Sequence, residues 1–202
     1  MITSMERSTD PGPRGGPVLQ DSVTEAITNA FFEELAAVGY GRLSMEAVAR
    51  RAGSGKAAIY RRWPSKEAMT ADLVGQVSVR AADTLDTGTL RGDVLAFLTA
   101  TDEALRHPLV SRILPDLLAS AAYHPAIAAV LGDEIGTARR RKVGAILRRA
   151  VERGELPESA DIELGLDFMA GPLYWGTAIR SAPADPGRLE RLTDMIIAAL
   201  AA

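Results

Sequence analysis

Apolar side chains return every three or four positions along almost all of this chain beyond residue 20. Val23, Ile27, Ala30, Phe31, Leu35 and Val38 make the first stripe, with the period of an amphipathic helix, and Gly39 is placed to end it. A short helical pattern follows from Ser44, then a tight turn, a second short helix, and a longer one from Ser65 to about Thr84. After the polar break Asp86-Thr87-Gly88, a helix runs to about Arg106. Pro108 opens a shorter one to about Ala122, and Pro125 a long one to about Arg153, closed by Gly154 and Pro157. The last two are expected over Asp161 to Ser181 and Pro186 to Leu200, with Pro172 as a kink in the first. Strand-like alternation and internal repeats are absent, so the fold class is all-α.

Spacing singles out Leu43 to Met69. Val48, Ala49 and Ala52 form the inner face of the first short helix, Ala49 being small where two helices cross closely. Gly53 stands where the turn needs a residue free to take positive φ, and Ile59 points back to the core six residues later. This is the layout of a helix-turn-helix, whose second helix enters the major groove of DNA. Ser44, Ser54 and Ser65 are each placed to cap a helix, and Glu46 sits in a first turn where a negative charge suits the dipole. Lys56 and Lys66 also sit in first turns, where a cation is disfavoured unless an anion joins it; phosphate is the obvious anion.

Charge distribution changes the picture that pI gives. Between Arg42 and Lys66 the chain holds Arg42, Arg50, Arg51, Lys56, Arg61, Arg62 and Lys66 against the single acid Glu46, a net +6. The whole chain is −3, which leaves −9 elsewhere. A basic patch on an acidic protein is an electrostatic footprint for nucleic acid.

The segment from about Val23 to Val74 resembles the N-terminal DNA-binding domain of TetR-family transcriptional regulators. The resemblance is carried by Ala52 to Met69, AGSGKAAIYRRWPSKEAM: a turn glycine, a basic residue, an apolar-Tyr pair, an aromatic and Ser-Lys-Glu. It implies that Lys56 and Ala57 face bases, that Tyr60 and Lys66 meet phosphates, and that Arg61 and Arg62 lie near base edges or backbone. Trp63 falls on a position that packs inside the domain. Ala58 replaces the family's usual threonine, and Ser54 stands where an apolar residue is common. With Ser44, the DNA-facing set is Ser44, Lys56, Ala57, Ala58, Tyr60, Arg61, Arg62 and Lys66. The implied organisation is a flexible arm at 1–20, a helix-turn-helix domain at 21–64, and a helical effector-binding and dimerisation domain at 65–202.

The arm reading rests on the Pro, Gly, Ser and Thr of MITSMERSTDPGPRGGPVLQ, which has no apolar stretch of signal-peptide type. At the other end, Leu189, Leu192, Ile196 and Leu200 form one stripe, which Met195, Ile197 and Ala199 widen. The preceding helix carries Gly165, Ala170, Gly171, Gly176 and Ala178, small residues that let helices approach closely. Together these predict a two-fold homodimer through the two C-terminal helices, although burial within one subunit would give the same pattern. A dimer reads a palindrome, which one small helix-turn-helix reads poorly. Phe97, Thr101, Ile113, Leu117, Tyr123, Phe168, Met169, Tyr174 and Trp175 are candidates to line an effector cavity, which the family analogy favours over plain core packing. The effector would be a largely apolar small molecule that releases the dimer from a palindromic operator, the commoner repressor mode. The second basic run, Thr137 to Arg149, reads as a solvated helix face.

Other classes have less behind them. There are no cysteines, which excludes disulfides and thiol chemistry and fits a cytoplasmic protein. Its two histidines, His107 and His124, each precede a proline and match no metal-ligand spacing. A phosphate-binding glycine loop and an acid–base pair are missing, so neither catalysis, nor a cofactor, nor a metal is expected. No apolar run approaches the roughly 20 residues of a membrane helix. The remaining rival is a helical small-molecule binding protein without sequence-specific DNA binding; intact Lys56 and Tyr60 argue against it.

Overall fold

The computed structural model describes residues 17–80 and 86–202. Most of the expected arm, and the expected helix end at Thr84, lie outside the described residues. Every regular element among them is helical. Helix α1 spans Pro17–Arg42, α2 Met45–Arg51, α3 Lys56–Tyr60 and α4 Lys66–Arg80. Then follow α5 Leu90–Arg106, α6 Val110–Ala121, α7 Pro125–Ala129, α8 Thr137–Glu152, α9 Ile162–Tyr174 and α10 Pro186–Leu200.

Local chemistry sets most of the ends. Ser44, Ser65, Thr89 and Asp161 each accept a backbone N–H two or three residues into the following helix, at 3.0–3.2 Å. Ser54 does not cap α3: Gly55 holds that position without a side-chain bond. Ser54 is used by its backbone instead, donating to the Ala49 carbonyl at 2.9 Å while Gly53 (φ 62°) donates to Arg50. That pair of bonds is a Schellman closure of α2, and it commits the chain at Ser54 to the turn. Gly39 ends the first helical run, as expected, and α1 as bounded joins two helices across it. Its backbone is non-helical (φ 75°, ψ 165°), and a further turn runs to Arg42.

Two long elements depart from simple periodicity. The predicted helix from Pro125 to Arg153 contains a π-helical segment, Val130–Gly136, between α7 and α8. A second π segment, Trp175–Ile179, follows α9. Pro172 lies inside α9, and in the π segment that follows the Arg180 N–H reaches back five residues to Trp175.

The buried side chains form two clusters. The first holds Ile27, Phe31, Leu35, Tyr40, Val48, Ile59, Trp63, Met69 and Leu73, and is completed by Ile113, Leu117, Ile127 and Val130 from α6, α7 and the π segment. Packing therefore runs continuously past residue 64, and the DNA-binding half shares its core with the second half. The second cluster holds Leu90, Val94, Leu98, Val143, Leu147, Leu166, Met169, Leu173, Leu189, Ile196 and Leu200. The stripe expected at the subunit interface is thus mostly turned inward: Leu189, Ile196 and Leu200 are buried in their own subunit, with Leu192 packed against them. Periodicity marks a stripe that must be covered, not what covers it. Two of the small residues of α9 and its extension serve the same inward packing. A Cβ on Gly165 would stand 2.8 Å from Leu147 and Leu200, and one on Gly176 would collide with the Arg188 guanidinium.

Candidate nucleic-acid interface

The helix-turn-helix is built as the spacing requires. Val48, Ala49 and Ile59 are buried, and Ala52 packs at the edge of the cluster. Trp63 is core, its indole N–H donating to Asp72 at 2.8 Å. That leaves Lys56, Ala57 and Tyr60 exposed on α3 and Arg61 exposed just after it, with Ala58 and Arg62 half-buried. Ser44 is half-buried with its hydroxyl engaged in the cap of α2.

One carboxylate brings two of these side chains together. Glu46 Oε1 accepts the Tyr60 hydroxyl at 3.0 Å and meets Lys56 Nζ at 3.4 Å. Its own backbone N–H, and then the Tyr60 hydroxyl, hold the Glu46 carboxyl below its ordinary value. The same hydrogen bond pushes the Tyr60 hydroxyl up. Glu46 thus occupies, in the DNA-free chain, the place of an anion between a lysine and a tyrosine. Sequence alone showed it only as a first-turn acid. Part of the basic patch is spent elsewhere: Arg51 pairs with Glu34 at 2.7 Å and Glu33 at 3.5 Å.

Lys66 belongs to a second constellation, centred on Tyr40. Its ammonium donates to the Tyr40 carbonyl at 3.0 Å and lies 4.3 Å from the centre of the Tyr40 ring. The Tyr40 hydroxyl donates to Glu67 at 3.2 Å, and its backbone N–H to Asp116 of α6 at 2.7 Å. The His124 ring meets the same ring edge-on, with centroids 5.1 Å apart. Burial, and then the Glu67 charge, push the Tyr40 hydroxyl up to about 12, so it remains a donor. Gly39 makes the Asp116 contact feasible: a Cβ there would stand 2.6 Å from Asp116 Oδ1. The end of α1, the start of α4 and the α6–α7 corner therefore meet on one buried tyrosine. Gly39 and Lys66 each gave a sequence signal, but neither signalled that they meet on Tyr40.

The candidate effector-lining residues do not converge on one space. Ile113 and Leu117 are buried in the first cluster. Phe97, Thr101 and Tyr174 lie with the second. Tyr123 is 84% exposed and Trp175 60%. Phe168, also exposed, borders a different recess of about 200 Å³ with Asp161, Leu164 and Leu200. In the second basic run, Arg140 pairs with Glu163 and Asp167, and Arg149 with Asp93 and Asp86.

A positively charged two-helix reading unit continuous with a larger helical body defines a DNA-binding transcriptional regulator. Comparison with known proteins gives the family. Residues 27–73 match the profile of bacterial regulatory proteins of the tetR family, and residues 84–196 match the tetracyclin repressor-like C-terminal domain. An uncharacterized HTH-type transcriptional regulator of Mycobacterium tuberculosis is 30% identical over 193 residues, covering 95% of this chain and 91% of that protein. The DNA-binding transcriptional repressor TetR of Mycobacteroides abscessus is 29% identical, covering 80% of this chain and 85% of its own. Among solved structures, the TetR family transcription regulator SCO0332 superposes with a TM-score of 0.69 at 28% identity, over 88% of this chain and 97% of that one. Salmonella enterica GusR shares the fold, with a TM-score of 0.74 at 19% identity over 88% and 95% of the two chains. The chain belongs to the TetR family of transcriptional regulators.

Proposed function

We propose that this chain is a repressor that binds a palindromic operator as a homodimer and is released by a small-molecule effector. The observation that carries the reading is the exposed α3 face, where Lys56 and Tyr60 converge on Glu46 within a segment of net charge +6. Ser44, Ala57, Ala58, Arg61, Arg62 and Lys66 complete the DNA-facing set. The repressor name of the M. abscessus relative supports the sign of regulation. A DNA-bound regulator of this kind works in the cytoplasm; among the described residues no single helix is long and apolar enough to cross a membrane.

For the dimer, the supporting feature is the face left uncovered. Leu164, Phe168, Trp175 and Ile179 project along α9 and its π extension, and Met195 of α10 is 70% exposed. Their positions advance by four, seven and four, which keeps them near one side of the helix. An apolar strip of this kind marks an association surface. Two such faces related by a two-fold axis make a four-helix bundle. Phe168 and Trp175 then belong to the interface, and the effector set reduces to Phe97, Thr101 and Tyr174, with Ile113 and Leu117 on the path to the DNA-binding half.

Selection of bound sequences from random duplexes tests the reading. An inverted repeat enriched by the wild type and lost by the Lys56→Ala, Tyr60→Ala variant is the expected result. Folded protein that enriches nothing would leave the small-molecule binding protein as the better account.

A further inference from the structure

Of the α8 arginines without a carboxylate partner among the described residues, Arg139 is half-buried while Arg141 and Arg148 are exposed. Arg140, Arg149 and Arg153 all have carboxylates within 4 Å. Arg139 has none among the described residues. Its guanidinium lies 5.7 Å from the centre of the Phe97 ring, across the α5–α8 contact. It is half-buried, and burial pushes it below the ordinary arginine value. A cation drawn out of water against an aromatic face recovers part of its hydration through the ring, but far less than a hydrogen-bonded anion returns.

A second group points to the same place. Thr101 lies one turn beyond Phe97 on α5 and is only 8% exposed. A helical threonine usually spends its hydroxyl on the carbonyl four residues back, as Thr99 does on Leu95 at 2.8 Å. Thr101 makes no such bond to Phe97, and its hydroxyl has no partner among the described residues. Side chains on a helix lean towards its N-terminus, so Thr101 leans over the Phe97 turn. A largely buried threonine, its hydroxyl unpaired among the described residues, and a half-buried guanidinium thus flank one phenylalanine, with the partly buried Leu114 and Tyr174 packed against the same cluster.

We infer that the effector is an apolar molecule bearing a carboxylate or comparable anion, with its charge held by Arg139 and Thr101 beside Phe97. This deepens the effector-released reading above and rests on it. The apolar remainder would lie along Phe97, Leu114 and Tyr174. Electroneutral hydrophobes would leave the guanidinium unpaired and bind weakly.

Thermal unfolding of the full chain tests the inference, using wild type, Arg139→Met and Thr101→Val, each alone and with dodecanoate or dodecanol. Methionine keeps the volume and removes the charge, so Arg139→Met is expected to melt at or above the wild type without ligand. Dodecanoate should bind the wild type roughly tenfold or more tighter than dodecanol. That preference should vanish in Arg139→Met and shrink in Thr101→Val. Arg139→Met melting well below the wild type would make Arg139 a packing residue and overturn the inference. Equal shifts from the two probes on the wild type, including no shift from either, would overturn it as well. A separate readout keeps the two readings distinguishable: dodecanoate that stabilises the protein but leaves operator affinity unchanged would sink effector release while the anion site stands.

Discussion

Under the proposed operator contacts, Glu46 competes with DNA for Lys56 and Tyr60, so its substitution is expected to have the opposite sign to theirs. Glu46→Gln keeps an acceptor for the Tyr60 hydroxyl and removes the charge facing Lys56. Operator affinity at low salt should rise about threefold, with the gain shrinking as ionic strength increases. Fluorescence anisotropy over a salt series measures both, and an unchanged affinity at low salt would refute the competition. Lys56→Ala should flatten the plot of log affinity against log salt by about one per protomer. Asp93 shows the other use of a carboxylate, inside the fold. Burial pushes it up, but Thr87, through its N–H and hydroxyl, and Arg149 outweigh that and hold it below its usual range. A depressed carboxylate contributes stability that is present above its unfolded value, about pH 4, and lost as pH falls through the folded one. Asp93→Asn should cost about 1–3 kcal/mol at pH 7 and weaken the acid dependence below pH 4. Urea unfolding at both pH values decides this, with parallel curves for variant and wild type as the adverse result.

Glycines at positive φ separate two kinds of element boundary. At Gly53 the space around a Cβ is open, so Gly53→Ala should cost about 1 kcal/mol, the strain of the left-handed turn alone. At Gly39 the same change adds a clash with Asp116, and the loss should exceed that of Gly53→Ala by about 1–3 kcal/mol. Denaturant midpoints of the two variants give the order; a reversed order would mean that Asp116 yields freely. The short helices around Gly53 were legible because their signals are local: a cap at Ser44, a turn glycine, an apolar anchor at Ile59. The α7–α8 region was less so. A π segment carries an extra residue per turn, and that shift of face is invisible to a count of threes and fours. The α10 stripe was found but its partner was not, since Leu189, Ile196 and Leu200 would read alike against their own subunit or another. Tyr40, Asp116 and His124 are far apart in sequence, and nothing in their spacing announces that they meet.

In the whole molecule the uncovered α9 face carries the assembly prediction. Phe168→Asp with Trp175→Glu should convert the protein to a folded monomer, read by light scattering after gel filtration, and weaken operator binding more than half-site binding. A dimer that survives both changes would place the interface elsewhere. The shared first core has a consequence of its own. A fragment ending at Arg80 would carry an open furrow where Ile113, Leu117, Ile127 and Val130 belong. Its buried Tyr40 would lose the Asp116 carboxylate as well. A reading head is therefore not expected to be transplantable between relatives by a cut after Arg80 alone. A chimera that changes operator preference has to carry the α6–α7 corner with it, or exchange only the outward residues of α3. By the same logic, recombination within such a lineage would be expected to move Gly39 and Asp116 as one unit.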